Sequence, residues 1–499
     1  MKRAKKSIGL ILAILLVLTT VSAGCTKKAT TTKADTSKFV ALSEYLIGAP
    51  AKDYDQMLTA FNVKAKKDLN CSLSVTWIGW GDYSTKYPLV LASGEAIDLI
   101  YTSSWTGFTV QATKGAFMPL EKLAPEYAPK SFAAQTPGMI KALTLNGHLD
   151  ALSPKFSQYA QMGYIVRGDL MKKYGFANGS LKTMDDIGAF AAAVHKGEKG
   201  IDPFGFDSQS SLDIYENYQL GYFPFANIYN FPLQVTVDSA GMPTGTVKNI
   251  YEDPGYPAFF AKMKQWADAG YWPTNVLSNK DTSMLNEGTA AMRLHNIDSW
   301  VTAGITNPTW DMQFVPGYPH AKLTSAYQDA MAIPASSKNP ERALMLIEKI
   351  RTDETYYDLL AYGIKDTDWK LNAKDEVVAT DPKVWAPDGY CNWGFKDPQF
   401  AKDAAGSPAT MKAVKDAAKA TGIDTPYTYF SFNTESVKAQ IAAIASAMAQ
   451  YHDPLALGYV KDPVAGLATL KQKLKDAGVD AVQVELQKQV DAFAKTIIK

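Results

Sequence analysis

The residues of this chain best suited to chemistry are flat rings set near carboxylates. Trp80 and Tyr83 stand in the turn Gly79–Ser84, and Trp105 lies just beyond a short apolar run. Trp272 sits beside Pro273, Trp300 comes two residues after Asp298, and Trp393 falls between Asn392 and Gly394. An indole offers a flat apolar face and one edge donor, and is held still at little entropic cost. Such rings suit the C–H side of a sugar, whose hydroxyls then need a few directional polar groups in a largely apolar cleft. Candidates for those groups are Glu44 in the first strand-like run, Asp82 beside Trp80, Tyr159, Arg293 and Asp298. An ionised carboxylate accepts a hydroxyl proton in a bond roughly twice as strong as a neutral one. Each ring has a competing reading as core packing, and each charged group as a solvated surface residue.

Other chemistries are poorly supplied. The five histidines are scattered, with no HExxH and no Cys-x-x-Cys pair, so neither a metal nor a cofactor is expected. Gly79-Trp-Gly-Asp-Tyr-Ser84 approaches a dinucleotide loop, but the third glycine is missing and two bulky rings would block a pyrophosphate. Asp366-x-Asp368 hints at a calcium loop, yet Lys370 takes the next ligand position. A glycoside hydrolase would also be rich in rings and acids, but it needs two carboxyls about 5–9.5 Å apart, a distance sequence does not measure. Asp185-Asp186 and Glu252-Asp253 look like cap and turn residues, and no Gly-x-Ser-x-Gly elbow or Walker loop is present.

The elements that must position these rings alternate. Val40–Leu46, Leu73–Ile78 and Ile97–Tyr101 read as strands, with a helix from Tyr54 to about Asp68 and another carrying Leu89, Val90 and Leu91. Such alternation implies a parallel α/β sheet, whose ligand crevice lies beyond the strands' carboxyl ends, where Trp80 and Trp105 stand. Tyr164–Arg167 starts a new strand, followed by a helix from Leu170 that Asp169 would cap. Trp266, inside a helical run, and Trp310, before the strand Met312–Val315, read as core. Val482, Leu486, Val490, Phe493 and Ile497 form one apolar helical stripe near the end of the chain, after a C-cap at Ala477-Gly478.

The first 38 residues address the chain. Lys2, Arg3, Lys5 and Lys6 precede an apolar run, Ile8–Val21, that is short for a bilayer span of about 20 residues and suits a secretory leader. Ser22-Ala-Gly-Cys25 follows and resembles the lipobox of bacterial lipoproteins, although Ser22 stands where Leu is usual. That resemblance implies a diacylglycerol on Cys25; an ordinary cleaved leader with an incidental cysteine is the alternative. Residues 26–38, rich in Thr, Lys and Ala, would be a disordered tether. Losing the leader removes four basic residues and no acid, taking the net charge from +1 to −3, which leaves no electrostatic footprint for nucleic acid. Cys71 and Cys391 are too few for a disulfide framework; one bridge or two buried thiols both remain open.

At 499 residues, with 46% hydrophobic and 20% charged content, the chain is globular and too long for one core, so two lobes are expected. YIVRGDLMKKYGF (Tyr164–Phe176) and LKTMDDIGAFAAAV (Leu181–Val194, with Thr183 or Asp185 as cap) resemble the extracellular solute-binding proteins of bacterial ABC importers. So do MLNEGTAAMRLHNIDSW (Met284–Trp300), AIPASSKNPERALMLIEKI (Ala332–Ile350) and LLAYGI (Leu359–Ile364). Asn392–Phe395 and FSFNTESVKAQIAAI from Phe430 resemble the end of the family's large oligosaccharide-binding subgroup.

The resemblance implies a type II periplasmic-binding-protein-like α/β fold: two discontinuous lobes joined by a hinge, with a helical C-terminal region. The expected divisions are a leader at 1–24 and a lipidated tether at 25–38. Lobe one takes 39–152 and 324–364, and lobe two takes 153–323 and 365–424. Residues 425–499 would be packed on lobe two. Crossings fall near 149–159 and 323–330, and between 364 and 393. Trp105 and Trp300 gain weight, because the family's sugar binders carry aromatics after the third strand and after the small-residue run. The implied function is non-enzymatic: a monomer, lipid-anchored on the membrane's outer face, would capture a carbohydrate between its lobes and pass it to a separate ABC permease. Trp80 and Trp105 would face Trp300 and Trp393 across the cleft. A peptide or other polar solute is the alternative ligand.

Overall fold

The computed structural model describes residues 36–155, 159–206, 212, 220–223, 230–317, 320–381, 384–385, 389–391, 393–405, 409–420, 422 and 425–497. The leader, Cys25 and nearly all of the tether lie outside the described residues, as does Asn392.

Two sheets organise the chain. In the first lobe, strand β1 (Val40–Ile47) runs parallel to β2 (Cys71–Ile78) along its whole length, and parallel to β3 (Leu99–Thr102) on its other side. Ala330–Ala332 returns antiparallel to β3 and completes four strands. Helix α1 (Tyr54–Leu69) covers this sheet because Met57, Phe61 and Ala65 recur at four-residue spacing, and all three are fully buried. Helix α2 (Tyr83–Ala92) follows β2 directly. The expected β-α-β start is present, with ends shifted by one or two residues.

The second lobe is not the parallel sheet that alternation implies. Met162–Val166 lies between Gln313–Pro316 and Ala290–Asn296, antiparallel to both, and only Asp202–Phe204 joins in parallel. Gly163 permits the crowding, since a Cβ there would collide with the Val315 carbonyl. Thr183 caps the helix Met184–Gly197 in a capping box with Asp186. Asp169 is not a cap: its carboxylate lies 2.7 Å from Arg167, inside the first turn of Gly168–Lys173.

Three passages join the lobes. Tyr159–Ala160 pairs antiparallel with Lys322–Leu323, so the first two crossings form a short ribbon. Gln135 fixes the first crossing like an extra strand, accepting from Ser153 N and donating to Ser153 O at 3.0 Å each. The third returns to the first lobe earlier than expected. Tyr390, Cys391 and Phe395 are buried in the first core with Trp385 and Trp393 packed against it, whereas the sequence places 365–424 with lobe two. Gly394 permits the close approach there: it sits against the Met331 side chain, which a Cβ would force to shift. Further on, Val414 and Ala418 do join a second-lobe cluster. Cys71 and Cys391 are both buried and form no disulfide.

Of the C-terminal helices, Lys438–Ala447 supplies Ile441 and Ile444 to the second lobe's core, Pro463–Asp476 supplies Leu467, Leu470 and Leu474, and Val479–Ile497 supplies Val482, Leu486, Val490 and Phe493. The side chain of Ile497 lies outside the described residues. The region also grips the first lobe, which the sequence did not indicate. Ser431 Oγ donates to Ala142 O at 2.6 Å, and Lys141 Nζ lies 4.1 Å from the Phe493 ring centroid. Among the described residues no helix is long and apolar enough to cross a membrane.

Candidate functional site

The carboxyl ends of β1, β2 and β3 lie together, and the loops leaving them carry the rings. Gly48 ends β1 at φ 127°, and the Trp80 indole lies over it so closely that a Cβ would come within 3.3 Å of Nε1. From Trp80 the rings run in a closed circuit. Trp80 meets Trp105 at 5.8 Å and Trp393 at 5.5 Å, both tilted by about 40°. Tyr101 closes it at 5.6 Å from Trp105 and 5.7 Å from Trp393. Tyr83 stands edge-on behind Trp105 at 5.1 Å and is itself nearly buried.

Trp80, Trp105 and Trp393 are half-buried, and among the described residues none of their N–H groups has a protein acceptor. Among the core indoles, Trp300 donates to Met312 O at 2.8 Å and Trp369 to Gly363 O at 3.1 Å, while Trp272 Nε1 is enclosed without a partner among the described residues. A tilted aromatic surface with open donor edges can stack an apolar ring face and bond its periphery.

Polar groups border this surface. The Tyr101 hydroxyl donates to Asp329 Oδ1 at 2.6 Å, and Lys396 Nζ reaches Oδ2 at 3.0 Å. Ser104 Oγ donates to Gln328 Oε1 at 2.8 Å. Asp329, Lys396, Gln328 and Tyr101 are all absent from the sequence-derived candidates. More than 220 residues separate Tyr101 from Asp329, and no local pattern marks that pairing. Gly48 is likewise absent from those candidates.

The second lobe touches this edge through Lys280, whose Nζ lies 2.5 Å from Asp82 Oδ1. Hydrogen bonds from Lys280 and Lys86 hold the Asp82 carboxyl below its usual range. The pair is solvent-exposed, so it marks where the lobes meet without holding them firmly.

The remaining candidates lie elsewhere. Trp300 is 2% exposed, packed with Ile165, Leu285 and Met312, and Trp272 is 3% exposed against Phe204 and Phe206; neither offers a face to a ligand. Both sit where an apolar core needed bulk, a role sequence does not separate from a cleft role. Trp266 is core as expected, while Trp310 is half-buried under the Arg167 guanidinium at 4.1 Å. Arg293 donates to Thr282 O at 2.8 Å, and Asp298 pairs with Lys415 at 3.0 Å. Tyr159 packs against Gly422 and the second-lobe cluster around Trp300. Glu44 is 4% exposed, and burial pushes its carboxyl up to about 8 with Oε1 unpartnered.

Ser299 Oγ lies 2.6 Å from His295 Nδ1. Burial, reinforced by Arg293, pushes that imidazole down to about 3, too weak a base to activate a hydroxyl at neutral pH. Among the described residues no three His, Cys, Asp or Glu side chains are placed to hold a metal.

Residues 56–387, about two thirds of the chain, match the bacterial extracellular solute-binding protein family. The chain belongs to that family. Residues 426–495, the gripping C-terminal helices, match a domain of unknown function, DUF3502. Among relatives of this solute-binding protein, a carbohydrate ABC transporter substrate-binding protein of Streptococcus pneumoniae is 25% identical over 491 residues, 95% of this chain and 94% of its own. Of solved structures, the N-glycan transport solute-binding protein NgtS from Streptococcus pneumoniae, in complex with Man1GlcNAc, superposes with a TM-score of 0.74 at 22% identity. That match covers 91% of this chain and 100% of NgtS. The alginate-binding protein AlgQ2, solved without calcium ion, gives 0.64 at 16% identity over 93% of this chain and 99% of its own. The fold is therefore the type II periplasmic-binding-protein fold with a helical C-terminal region.

Two outcomes follow from this geometry. In urea denaturation without ligand, Trp300→Ala is expected to cost about 3–5 kcal/mol as a core deletion, and Trp80→Ala or Trp105→Ala less than about 2 kcal/mol; equal losses would refute the distinction. The second concerns pH. Unfolded Glu44 titrates near 4.5 and the folded chain holds its proton up to about 8, so this group lowers stability as pH rises across that window. Glu44→Gln should flatten the slope of melting temperature between pH 5 and 8. Asp150, also pushed up to about 8 by burial, leaves a residual slope of the same sign. An unchanged slope would show that Glu44 ionises freely in the folded chain.

Proposed function

We propose that this solute-binding protein captures an oligosaccharide on the aromatic surface of its first lobe and presents it to an ABC permease. In this reading the chain is a monomer, held outside the membrane by a lipid on Cys25. The observation that carries the reading is the half-buried group of Trp80, Trp105 and Trp393, open at its donor edges, backed by buried Tyr101 and bordered by Asp329 and Lys396. Several rings in continuous contact make a surface longer than one sugar unit, which favours an oligosaccharide over a monosaccharide. The names of the relatives agree in kind: the carbohydrate-binding relative, and NgtS solved with Man1GlcNAc and with Man5GlcNAc.

Trp80, Trp105 and Trp393 all belong to the first lobe, so the second lobe meets the ligand with other groups, Lys280 being the one already at the edge. A ligand shifts an open-closed equilibrium only by its differential affinity for the two states, so contact with both lobes is what closes them. Lipidation fits the basic, apolar and small-residue order before Cys25, with two or more acyl chains giving stable attachment where one is marginal.

Calorimetric titration with mannose- and N-acetylglucosamine-containing oligosaccharides tests the ligand class. Binding is expected, with a smaller radius of gyration in solution scattering, and Trp80→Ala or Trp105→Ala should weaken it by about 1–3 kcal/mol. Stoichiometric binding unaffected by both substitutions would move the site off this surface. For the anchor, Cys25→Ser should release the protein into the medium; continued partitioning of that variant into detergent would rule the lipid out.

A further inference from the structure

Beside the crossings lies a second cavity, of about 200 Å³, that shares no residue with the aromatic surface. Its walls come from the helix Pro129–Ala133, the first crossing at Ser153 and Lys155, the end of the helix Pro340–Thr352, and the turn Asp397–Phe400. Arg351 stands in this wall and is 8% exposed. Among the described residues its two hydrogen bonds both use Nη2, to Leu152 O at 3.0 Å and Gly394 O at 2.7 Å; Nε is enclosed without an acceptor, and Nη1 makes no hydrogen bond. Burial pushes its pKa down only to about 10, so the guanidinium stays charged at neutral pH.

Charges around the cavity do not cancel. Glu348, behind it, accepts from the N–H groups of Lys130 and Ser131 and from the Ser131 hydroxyl. Asp397 is buried, its Oδ1 accepts from Gln399 N at 2.9 Å, and its Oδ2 lies 3.9 Å from Lys155 Nζ, too far for a hydrogen bond. Arg351, Lys130 and Lys155 thus face two carboxylates, leaving one positive charge unmatched. A buried, half-satisfied guanidinium beside an open volume is costly unless an acceptor fills it.

We propose that this cavity binds a small monocarboxylate, with its oxygens toward Arg351 and the two lysines and its carbon part against Phe400 and Ala134. A planar carboxylate matches the fork of a guanidinium. Asp397 would oppose a second negative charge, so a dianion fits less well. Because the cavity is walled by the first crossing and by the turn after the third, an occupant stabilises the arrangement of crossings described above.

The proposal is independent of the sugar reading and is tested on the full chain by thermal shift at fixed ionic strength. Acetate, glucuronate and inorganic phosphate each replace chloride in turn. Acetate and glucuronate are expected to raise the melting temperature saturably, above phosphate. Arg351 caps two carbonyls and its replacement could unfold the chain, so the variant used is Lys130→Ala with Lys155→Ala, both exposed at the mouth. It should bind these carboxylates about tenfold more weakly, the loss expected for one or two charge-assisted contacts, and keep its oligosaccharide affinity. Trp105→Ala should leave the acetate response intact, which separates this site from the aromatic surface. No saturable rise over chloride, a response equal in the lysine variant, or a stronger response to phosphate would each overturn the proposal.

Discussion

One buried guanidinium ties together the places where the chain passes between its lobes. Arg351 donates to Leu152 on the first crossing and to Gly394 on the third. Leu152 in turn exchanges both backbone hydrogen bonds with Met331, in the first-lobe strand that follows the second crossing, at 2.9 and 3.0 Å. Gly394 closes the triangle by lying against the Met331 side chain, which a larger residue would force to shift. The site inherits this geometry. Trp393 precedes Gly394 by one residue and Asp329 precedes Met331 by two, so the ring and the carboxylate are placed by the same knot. Tyr101, joined to both, carries that placement to β3.

The local parts of this arrangement were legible in sequence, and the long-range ones were not. Strand and helix periods announced the first lobe from β1 to β3, and Trp80 and Trp105 could be placed at strand ends because a parallel sheet sends its loops to one side. Trp300 and Trp272 also follow apolar runs near turns. What separates them from Trp105 is whether the opposite wall is another apolar layer or solvent, which only packing decides. The sequence marks Trp393 as a candidate but places it with the second lobe, since the knot that draws it back depends on Gly394 meeting a residue 63 positions earlier. Asp329 carried no local signal at all. Glu44 reads as a ligand group because a carboxylate can accept from sugar hydroxyls; it instead lies buried with an unpartnered oxygen.

The two faces of the opening differ in kind. The first lobe brings a surface of preset rings, most of whose shape comes from packing of one ring on another. The second brings a long, exposed lysine that loses little by moving. A rigid wall and an adaptable one suit a receptor that must hold a solute and still release it, since order is supplied in advance on one side only.

The C-terminal helices also bear on how the molecule is made. Gln487 bonds both the N–H of Val247 and the carbonyl of Gly245, about 240 residues earlier, and Val482, Leu486 and Val490 finish a core begun near Tyr164. A chain emerging amino end first therefore cannot complete its second lobe until its last twenty residues are available. Contacts this distant in sequence slow folding, because loop-closure entropy is lost before they form. The first lobe likewise waits for its third crossing. Because Phe395 is the last buried residue of the first core and precedes Val482 by 87 positions, the first lobe can close its core before the second does.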